Sequence, residues 1–377
     1  MITIGILKEA EDESRVSCSP DSLGALIKLK ADILVENGAG AKASFKDEDF
    51  QAAGAKTCSR QDILNNADII LCINIPGAES RAKAAKAIWV GVFQAMSHPQ
   101  EMAAWARENH TVFSLDLLPR TTRAQAMDVL SSQANIAGYK AVLLAANVYP
   151  RYFPMFMTAA GSIPPAKVLV IGAGVAGLQA IATARRLGAV VHVSDTRPAV
   201  KEEVMSLGAK FVEVEGAADA SQAGGYAVEQ SEDFKRRQQE KLAEVAAKSD
   251  IIITTAQIPG RKAPVIITRQ MIHNMRGGSV IVDLAASTGG NTELTEDNKI
   301  VVENGVTIIG NSHLAADMPA DASKMLGKNF SGFLALLIDK ESVLAPDFND
   351  ELVANACVCK DGLLVNERLK NLVHQGL

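Results

Sequence analysis

The stretch Val168-Leu-Val-Ile-Gly-Ala-Gly-Val-Ala-Gly177 decides the fold class of this chain. Its first four residues are apolar and predict a buried strand, its glycines form a GxGxxG motif, and a helical pattern follows. Gly172 allows a tight turn, Gly174 lets backbone approach a pyrophosphate, and Gly177 lets the helix pack on the strand. The sequence therefore predicts a dinucleotide-binding turn. The residues expected to contact the cofactor are Gly172, Ala173, Gly174, Val175, Ala176 and Gly177.

An acidic residue follows the next predicted strand. Val190–Ser194 leads into Asp195, eighteen residues past Gly177, close to the spacing of roughly 20 expected for a carboxylate that binds an adenosine ribose. A carboxylate that accepts from the 2′-hydroxyl repels a 2′-phosphate, so NAD(H) is favoured over NADP(H). Thr196 belongs to the same predicted contact. Arg197 leaves the choice open, because an arginine here can pair with a phosphate, stack on adenine or lie at the surface.

Short β-branched runs alternate with helical patterns along both halves of the chain, which predicts parallel sheets with helices on both faces. The predicted strands of the first half are Ile2–Ile6, Ile33–Val35, Ile69–Ile73, Ile88–Phe93 and Thr111–Ser114. Those of the second half are Lys167–Ile171, Val190–Ser194, Phe211–Glu213, Asp250–Thr254, Ser279–Asp283 and Val306–Ile309. The Asp-Gly pair within Cys357–Val365 predicts a tight hairpin, and the C-terminal segment is expected to return to the first domain.

The predicted fold class is α/β, with two Rossmann-like doubly wound parallel-sheet domains, a cleft between them and two long helices joining them. The joining helices are predicted from helical periodicity over Asp128–Tyr149 and Ala322–Leu337. The predicted first domain is discontinuous and comprises residues 1–130 plus 318–377. The predicted nucleotide-binding domain comprises residues 131–317.

Composition excludes several classes of function. Hydrophobic residues make up 48% of the chain and charged residues 21%, enough apolar material for cores and too little charge for disorder. A net charge of -5 spread along the chain gives no footprint for nucleic acid. The apolar runs fall short of the roughly 18 residues that a membrane span needs, and no signal peptide is evident. The five cysteines have neither zinc nor redox spacing, so we expect reduced thiols, no metal site and a cytoplasmic location.

Two further loops follow predicted strands of the second half, Thr254–Arg261 and Asp283–Asn291. Ligands of open α/β sheets bind outside the carboxyl ends of strands, so both loops are expected to contact the nucleotide, the first through Ala256 and Gln257. The alternative is that both are only turns. A long insert at about residues 215–233, rich in small residues, is either a mobile lid or an inert insertion.

Candidate acid–base residues are scarce. None of the six histidines lies in a catalytic motif, so no general base is evident. Between the two halves lies the polar stretch Arg120-Thr-Thr-Arg-Ala-Gln-Ala-Met-Asp-Val-Leu-Ser-Ser-Gln133. It is either the solvated start of a helix or a portion of a site.

These features together resemble the NAD(H)-binding component, domain I, of proton-translocating NAD(P) transhydrogenase. The resemblance runs in the family's order to about Ile338. It is most similar to the form in which the alpha subunit is split into two chains, and to the first of them, because the membrane helices that follow in fused versions are missing here. The stretches that carry it are Lys8-Glu9, Arg15-Val16, Arg120–Tyr139, Gly172–Gly177, Gly225-Tyr226, Thr255–Gly260 and Asp283–Asn291.

The resemblance implies an oxidoreductase, a Re/Si-specific NAD(P)+ transhydrogenase that is active only with partner subunits. Hydride would pass from NADH bound by this chain to NADP+ at the NADP(H) site of the beta subunit, coupled to proton translocation through membrane subunits. The implied partners are a second copy of this chain in a homodimer, the beta subunit and the membrane-spanning second chain of the split alpha subunit. The implied location is peripheral, on the cytoplasmic face of the inner membrane.

The resemblance also assigns roles within the polar stretch. Arg120, Asp128 and Ser131 match residues that hold the nicotinamide carboxamide and neighbouring groups. Gln125 matches a residue that reaches the nucleotide on the partner domain. Tyr226 matches the tyrosine of a mobile loop that closes on bound NAD(H), which favours the lid interpretation of the insert.

Alanine dehydrogenase, a related family, is the nearest alternative. Its catalytic lysine, histidine and aspartate are all replaced in Leu71–Pro76, Trp89–Gln94 and Val282–Gly290. An amino-acid dehydrogenase needs a base, whereas hydride transfer between two nicotinamide rings does not. A second alternative is a non-catalytic NAD-binding module that reports cofactor state to a partner, which has no need of the polar stretch. Two departures from the transhydrogenase pattern, Gln257 and Ala315–Asp317, put adenosine contacts and subunit contacts in doubt.

Overall fold

The computed structural model describes residues 2–214, 232–258 and 260–374. The chain divides into two units, Met1–Gln133 with Ala315–Leu377, and Ala134–Leu314. It enters the second unit within one continuous helix, Val129–Val148, and returns through turns before helix Pro319–Leu337 of the first unit. The division therefore falls inside a helix on one side, where no loop in the sequence marks it.

In the described residues of the first unit, eight strands form one sheet. From one edge to the other they are Leu363–Leu364, Cys357–Lys360, Thr111–Ser114, Ile88–Gly91, Ile69–Leu71, Thr3–Ile6, Asp32–Glu36 and Lys56–Cys58. The six strands nearest the N-terminus are parallel and follow the doubly wound order 3-2-1-4-5-6. Cys357–Lys360 is antiparallel to Thr111–Ser114, which confirms the predicted hairpin and the return of the C-terminal segment.

Helices cover the first sheet, and three of them begin with proline at the first helical position, where its missing N–H costs nothing. These three are Pro20–Ile27, Pro99–Arg107 and Pro319–Leu337. The others are Asp47–Ala52, Arg60–Asn66, Ala78–Lys83, Glu351–Ala356 and Glu367–His374. A short 3₁₀ helix, Thr122–Met127, precedes the linking helix. Neighbouring residues Ile69 and Ile70 enter opposite core clusters, so both faces of the sheet are buried.

Among the described residues of the second unit, seven strands form the main sheet. In order they are Lys210–Phe211, Val190–Ser194, Lys167–Ile171, Ile251–Thr254, Val280–Asp283, Val306–Gly310 and Lys299–Glu303. The first six are parallel in the order 3-2-1-4-5-6, and Lys299–Glu303 is antiparallel. The order reverses between Lys167–Ile171 and Ile251–Thr254, which is the point where ligands bind in such sheets.

The second sheet is also buried on both faces, since Val168 and Val170 lie in one core cluster and Leu169 and Ile171 in the other. Its helices are Val175–Arg186, Lys201–Ser206, Glu232–Ala247 and Arg269–His273. A separate two-stranded hairpin pairs Phe156–Thr158 with Gly161–Ile163. It carries an exposed set of apolar side chains, called here the apolar hairpin: Tyr152, Met155, Phe156, Met157 and Ile163.

The predicted fold class, two Rossmann-like parallel-sheet units, is confirmed. Two strands of the main sheets were not predicted, Lys56–Cys58 and Lys299–Glu303. The strand predicted at Phe211–Glu213 is Lys210–Phe211. No helix among the described residues is both long and apolar enough to cross a lipid bilayer.

Candidate nucleotide-binding site

The glycine turn connects strand Lys167–Ile171 to helix Val175–Arg186. Gly172 has a φ of +92°, a conformation that other residues rarely adopt. Its N–H donates to Ser194 O at 2.8 Å, which ties the turn to the next strand. A Cβ on Gly177 would lie 1.8 Å from Gly172 O, so only glycine lets the helix approach the strand this closely. Two of the three predicted glycine roles thus have a direct structural reason.

Gly174 differs from the other two glycines of the motif. A Cβ built on it meets no protein atom within 4 Å, so the packing of the protein itself does not require glycine there. Gly174 and Val175 are exposed at the start of a helix of 12 residues, while Ala173 is buried. The first N–H groups of a helix lack partners within the helix and favour an anion. The turn therefore fits a diphosphate whose oxygens approach the Gly174 backbone.

Asp195 lies against the glycine turn. Its Oδ2 accepts from the Ala173 N–H at 2.7 Å, and its Oδ1 accepts from the Arg197 N–H at 2.8 Å. The Arg197 guanidinium donates to both oxygens, at 3.0 and 2.9 Å. Burial raises the pKa of Asp195, but the hydrogen bonds from Arg197 and Ala173 outweigh it and leave the pKa below its ordinary value. The acid is therefore ionised, and Thr196 beside it is exposed.

The loop after strand Ile251–Thr254 reaches the glycine turn. Thr255 Oγ1 is 3.1 Å from both Ile171 O and Gly172 O, so it donates to the turn's backbone. Ala256 is half-buried. Gln257 is exposed, and its Nε2 donates to Leu284 O at 2.8 Å. The predicted contact loop thus borders the turn at the point where the strand order reverses.

Asn291 and Asp283 fix that loop, and sequence reasoning gave neither a role of its own. Asn291 Oδ1 accepts from Ala256 N at 3.0 Å, and its Nδ2 donates to Ala256 O at 2.9 Å. Asp283 is fully buried and accepts from the Asn291 N–H at 2.6 Å and from Thr295 Oγ1 at 2.6 Å. The signal in the sequence is the spacing of a buried acid and an amide around two glycines, but it does not reveal the partner at Ala256.

The polar stretch lies in the first unit. Asp128 Oδ1 accepts from the Ser131 N–H at 2.9 Å and Oδ2 accepts from Ser131 Oγ at 2.6 Å, which caps the start of helix Val129–Val148. Arg120 and Gln125 are exposed, and within the described ranges their side chains have no hydrogen bond or ion pair. The structure thus brings Asp128 and Ser131 together and leaves Arg120 and Gln125 available to a ligand.

Two predicted features need separate mention. Tyr226 and residues 215–231 of the predicted mobile loop lie outside the described residues. Within the described ranges, no group of three or more histidine, cysteine, aspartate or glutamate side chains is placed to hold a metal ion.

A doubly wound sheet with a glycine turn, a helix N-terminus and a carboxylate at its switch point defines a class, the nucleotide-binding Rossmann-like α/β proteins. Residues 5–137 match the family model for the alanine dehydrogenase/PNT N-terminal domain, and residues 141–367 match the one for its C-terminal domain. The chain belongs to the alanine dehydrogenase/PNT family, in its NAD(P) transhydrogenase alpha-subunit branch.

The relatives agree with this placement. The first segment of the split NAD(P) transhydrogenase alpha subunit of Rhodospirillum rubrum is 45% identical over 97% of this chain and 98% of that protein. The crystal structure of transhydrogenase from Sinorhizobium meliloti superposes with a TM-score of 0.89, at 43% identity, over 96% of this chain and 100% of that one. An alanine dehydrogenase of Staphylococcus epidermidis is 27% identical over 89% of this chain and 88% of that protein. The resemblance seen in the sequence is confirmed.

Proposed function

We propose that this chain is the NAD(H)-binding subunit of a proton-translocating NAD(P) transhydrogenase. In this function it presents NADH for direct, Re/Si-specific hydride transfer to NADP+ on a separate beta subunit. The observation that carries the proposal is the glycine turn, where the space beside Gly174 is open and Asp195 is held ionised at the turn's edge. The kinship with transhydrogenase alpha subunits supports it.

NAD(H) is the proposed cofactor rather than NADP(H). An ionised Asp195 accepts a hydrogen bond from a ribose 2′-hydroxyl and repels a 2′-phosphate. Arg197, the residue that leaves the choice open in the sequence, directs its guanidinium to Asp195 through two hydrogen bonds. Its charge is therefore already paired, which favours NAD(H).

The chemistry proposed here requires positioning rather than an acid or a base. Bound NADH supplies the hydride, and this chain's residues bind and orient it. At the places where alanine dehydrogenase has a catalytic lysine and histidine, Asn74 donates to carboxylates and Gln94 is an exposed amide. Neither side chain takes up a proton near neutral pH. Holding two reactants in place can by itself contribute about 7–11 kcal/mol to a barrier.

The nicotinamide end of the site is proposed to involve the polar stretch. Arg120, Asp128 and Ser131 would hold the carboxamide, with the Asp128–Ser131 pair already fixed as a helix cap. Gln125 would reach the second nucleotide, because its amide is exposed and uncommitted among the described residues. Tyr226 would close over bound NAD(H), as the family resemblance implies.

The proposed assembly contains a homodimer of this chain, the beta subunit with its NADP(H) site, and the membrane-spanning second chain of the alpha subunit. It is proposed to lie on the cytoplasmic face of the inner membrane and to couple hydride transfer to proton translocation. The apolar hairpin supports an interface with another protein, since Met155 and Met157 are 64% and 72% exposed. Clustered apolar side chains of this kind on a surface mark contact sites.

The deciding experiment mixes the purified chain with the NADP(H)-binding domain of a transhydrogenase beta subunit. Hydride transfer from NADH to an NADP+ analogue is then followed by absorbance. We expect transfer, and we expect Gln125→Asn to slow it while NADH affinity stays within a few-fold. Intact NADH binding without any transfer would instead favour a non-catalytic NAD-binding module.

The same preparation tests the alanine dehydrogenase alternative. Pyruvate, ammonia and NADH are added without the beta-subunit domain, and NADH oxidation is followed together with alanine formation. We expect neither, because Asn74 and Gln94 replace the residues that handle protons in that reaction. Measurable alanine would restore that alternative.

A further inference from the structure

Asn329 connects helix Pro319–Leu337 to the polar stretch at two points. It is only 6% exposed. Its Nδ2 donates to Ala126 O at 2.9 Å, and its Oδ1 accepts from Ser132 Oγ at 2.7 Å. One buried amide therefore joins the backbone beside Gln125 to the helix turn that carries Ser131.

Helix stability does not explain an asparagine at this place. Asparagine is a weaker helix former than alanine or leucine, and a buried amide is unfavourable unless its donor and acceptor are paired. Both groups of Asn329 are paired, and both partners lie outside its own helix. Its contribution is therefore the link to the polar stretch.

A second contact joins the same helix to the same 3₁₀ turn. A Cβ on Gly332, one helical turn after Asn329, would lie 3.2 Å from Met127 Cγ and 3.7 Å from Ala126 O. The helix backbone thus packs directly beneath the turn Thr122–Met127. Close packing on one side and a buried hydrogen bond on the same side fix the height and the orientation of the turn.

The 3₁₀ turn has little other side-chain support among the described residues. Thr121 at its start makes no capping hydrogen bond with its side chain. Arg123 pairs with Asp350, but its guanidinium is 55% exposed, and exposed pairs hold geometry weakly. By contrast, the helix start after the turn has its own cap from Asp128.

We propose that Asn329 is a positioning residue that sets the place of Gln125 relative to Asp128 and Ser131. This inference rests on the proposed function, in which Gln125 reaches the second nucleotide. The Gln125 side chain has no partner among the described residues, so its position follows from its backbone. Asn329 holds that backbone one residue away, at Ala126 O.

The test uses the full chain and the beta-subunit NADP(H)-binding domain. Asn329→Asp keeps the shape and the acceptor for Ser132, but places an oxygen where the donor to Ala126 O was. We expect hydride transfer at saturating NADH to fall at least about ten-fold, since a ~1 Å misplacement can cost on the order of 10²-fold. NADH affinity is expected to stay within a few-fold, because the glycine turn is untouched.

Ser331→Ala is the matched control. Ser331 lies in the same helix and is 7% exposed, but its Oγ donates within that helix, to Gly327 O at 2.6 Å. Its removal is expected to leave the transfer rate unchanged. A thermal melt of each variant corrects the rates for loss of folded protein.

A double-mutant cycle with Gln125→Asn then tests whether Asn329 acts through Gln125. We expect Asn329→Asp to add little to the loss caused by Gln125→Asn, because both remove the same placement. Additive losses, an unchanged rate in Asn329→Asp, or a loss that only follows NADH affinity would overturn the inference. Failure of the proposed function is distinct, because then the unmodified chain itself transfers no hydride.

Discussion

At Asp195, one carboxylate serves both the turn and the proposed ribose contact. Its oxygens accept from the Ala173 N–H and from Arg197, and the remaining lone pairs are free to accept from a ribose hydroxyl. We predict that Asp195→Asn raises the Kd for NADH at least about ten-fold, which corresponds to ~1.4 kcal/mol. Titration calorimetry measures this directly.

The same substitution releases the guanidinium of Arg197. NADPH affinity should therefore fall less than NADH affinity, or should rise, because an unpaired arginine attracts a 2′-phosphate. A melting temperature close to that of the unmodified chain serves as the control for folding. An unchanged Kd for NADH would refute the ribose role of Asp195.

Glu9 is a buried carboxyl outside the proposed nucleotide site. Burial raises its pKa from 4.5 to about 7, against hydrogen bonds from the Ile73 and Asn74 N–H groups that lower it; the Glu13 charge also raises it. Because the folded state holds the proton more tightly, this group stabilises the fold fully below pH 4.5 and loses that contribution as pH rises through about 7.

The pH dependence of unfolding tests this directly. Glu9→Gln removes the titration, so its free energy of unfolding relative to the unmodified chain should increase between pH 4.5 and about 7, by roughly 1–3 kcal/mol, and stay level above. Urea unfolding at several pH values measures the difference. A difference that is flat across this window would contradict the raised pKa.

Some residues of the candidate site can be predicted from the sequence and others cannot. Asp195 is predictable because its distance from the glycines follows from one strand–helix–strand unit. The clasp between Asn291 and Ala256 joins loops 35 residues apart, and only the sheet order brings them together. Asn329, 203 residues from Ala126, is likewise invisible to any local pattern.

At the scale of an element, two glycines of one turn should respond differently to the same substitution. A Cβ on Gly177 would lie 1.8 Å from Gly172 O, whereas one on Gly174 meets no protein atom. We predict that Gly177→Ala lowers the melting temperature by several degrees. Gly174→Ala should leave the melting temperature unchanged and weaken NADH binding, because the added methyl group occupies the space left for the diphosphate.

Melting curves and NADH titrations on both variants check this pair. Each variant is the control for the other, since the chemical change is identical and the positions are three residues apart. Equal NADH affinity in Gly174→Ala and the unmodified chain would show that the space beside Gly174 is not used.

Strand prediction succeeds where strands are buried on both faces. Val168–Ile171 and Ile251–Ile253 are continuous apolar runs because helices cover both sides of a parallel sheet. Lys299–Glu303 escapes prediction because it is an antiparallel edge strand with charged ends, and its exposed Ile300 and Val302 give no core pattern. Lys56–Cys58 escapes it because three residues are too few for a period of two to be recognised.

At the scale of the whole molecule, the two units share the strand order 3-2-1-4-5-6 but differ at the switch point. The second unit has the glycine turn there. In the first unit, strand Thr3–Ile6 is followed by Leu7-Lys8-Glu9, and the Glu9 carboxylate accepts from the Ile73 N–H at 2.6 Å. A carboxylate bridging two strand ends is unsuited to a phosphate, so the shared fold does not give both units the same function.

The proposed homodimer can be tested through the apolar hairpin. Met157 is 72% exposed, and Tyr152 stacks on Phe156 beside it with ring centroids 5.0 Å apart. Burying such side chains contributes roughly 25 cal/mol per Å² of apolar surface, which a charge at the centre would oppose. We predict that Met157→Asp converts a dimer into a monomer without lowering secondary structure content, as measured by sedimentation equilibrium and circular dichroism. Met205→Asp is the matched control, since Met205 is 56% exposed in helix Lys201–Ser206, away from the hairpin in sequence. A dimer that persists in Met157→Asp, or an equal loss in Met205→Asp, would place the interface elsewhere.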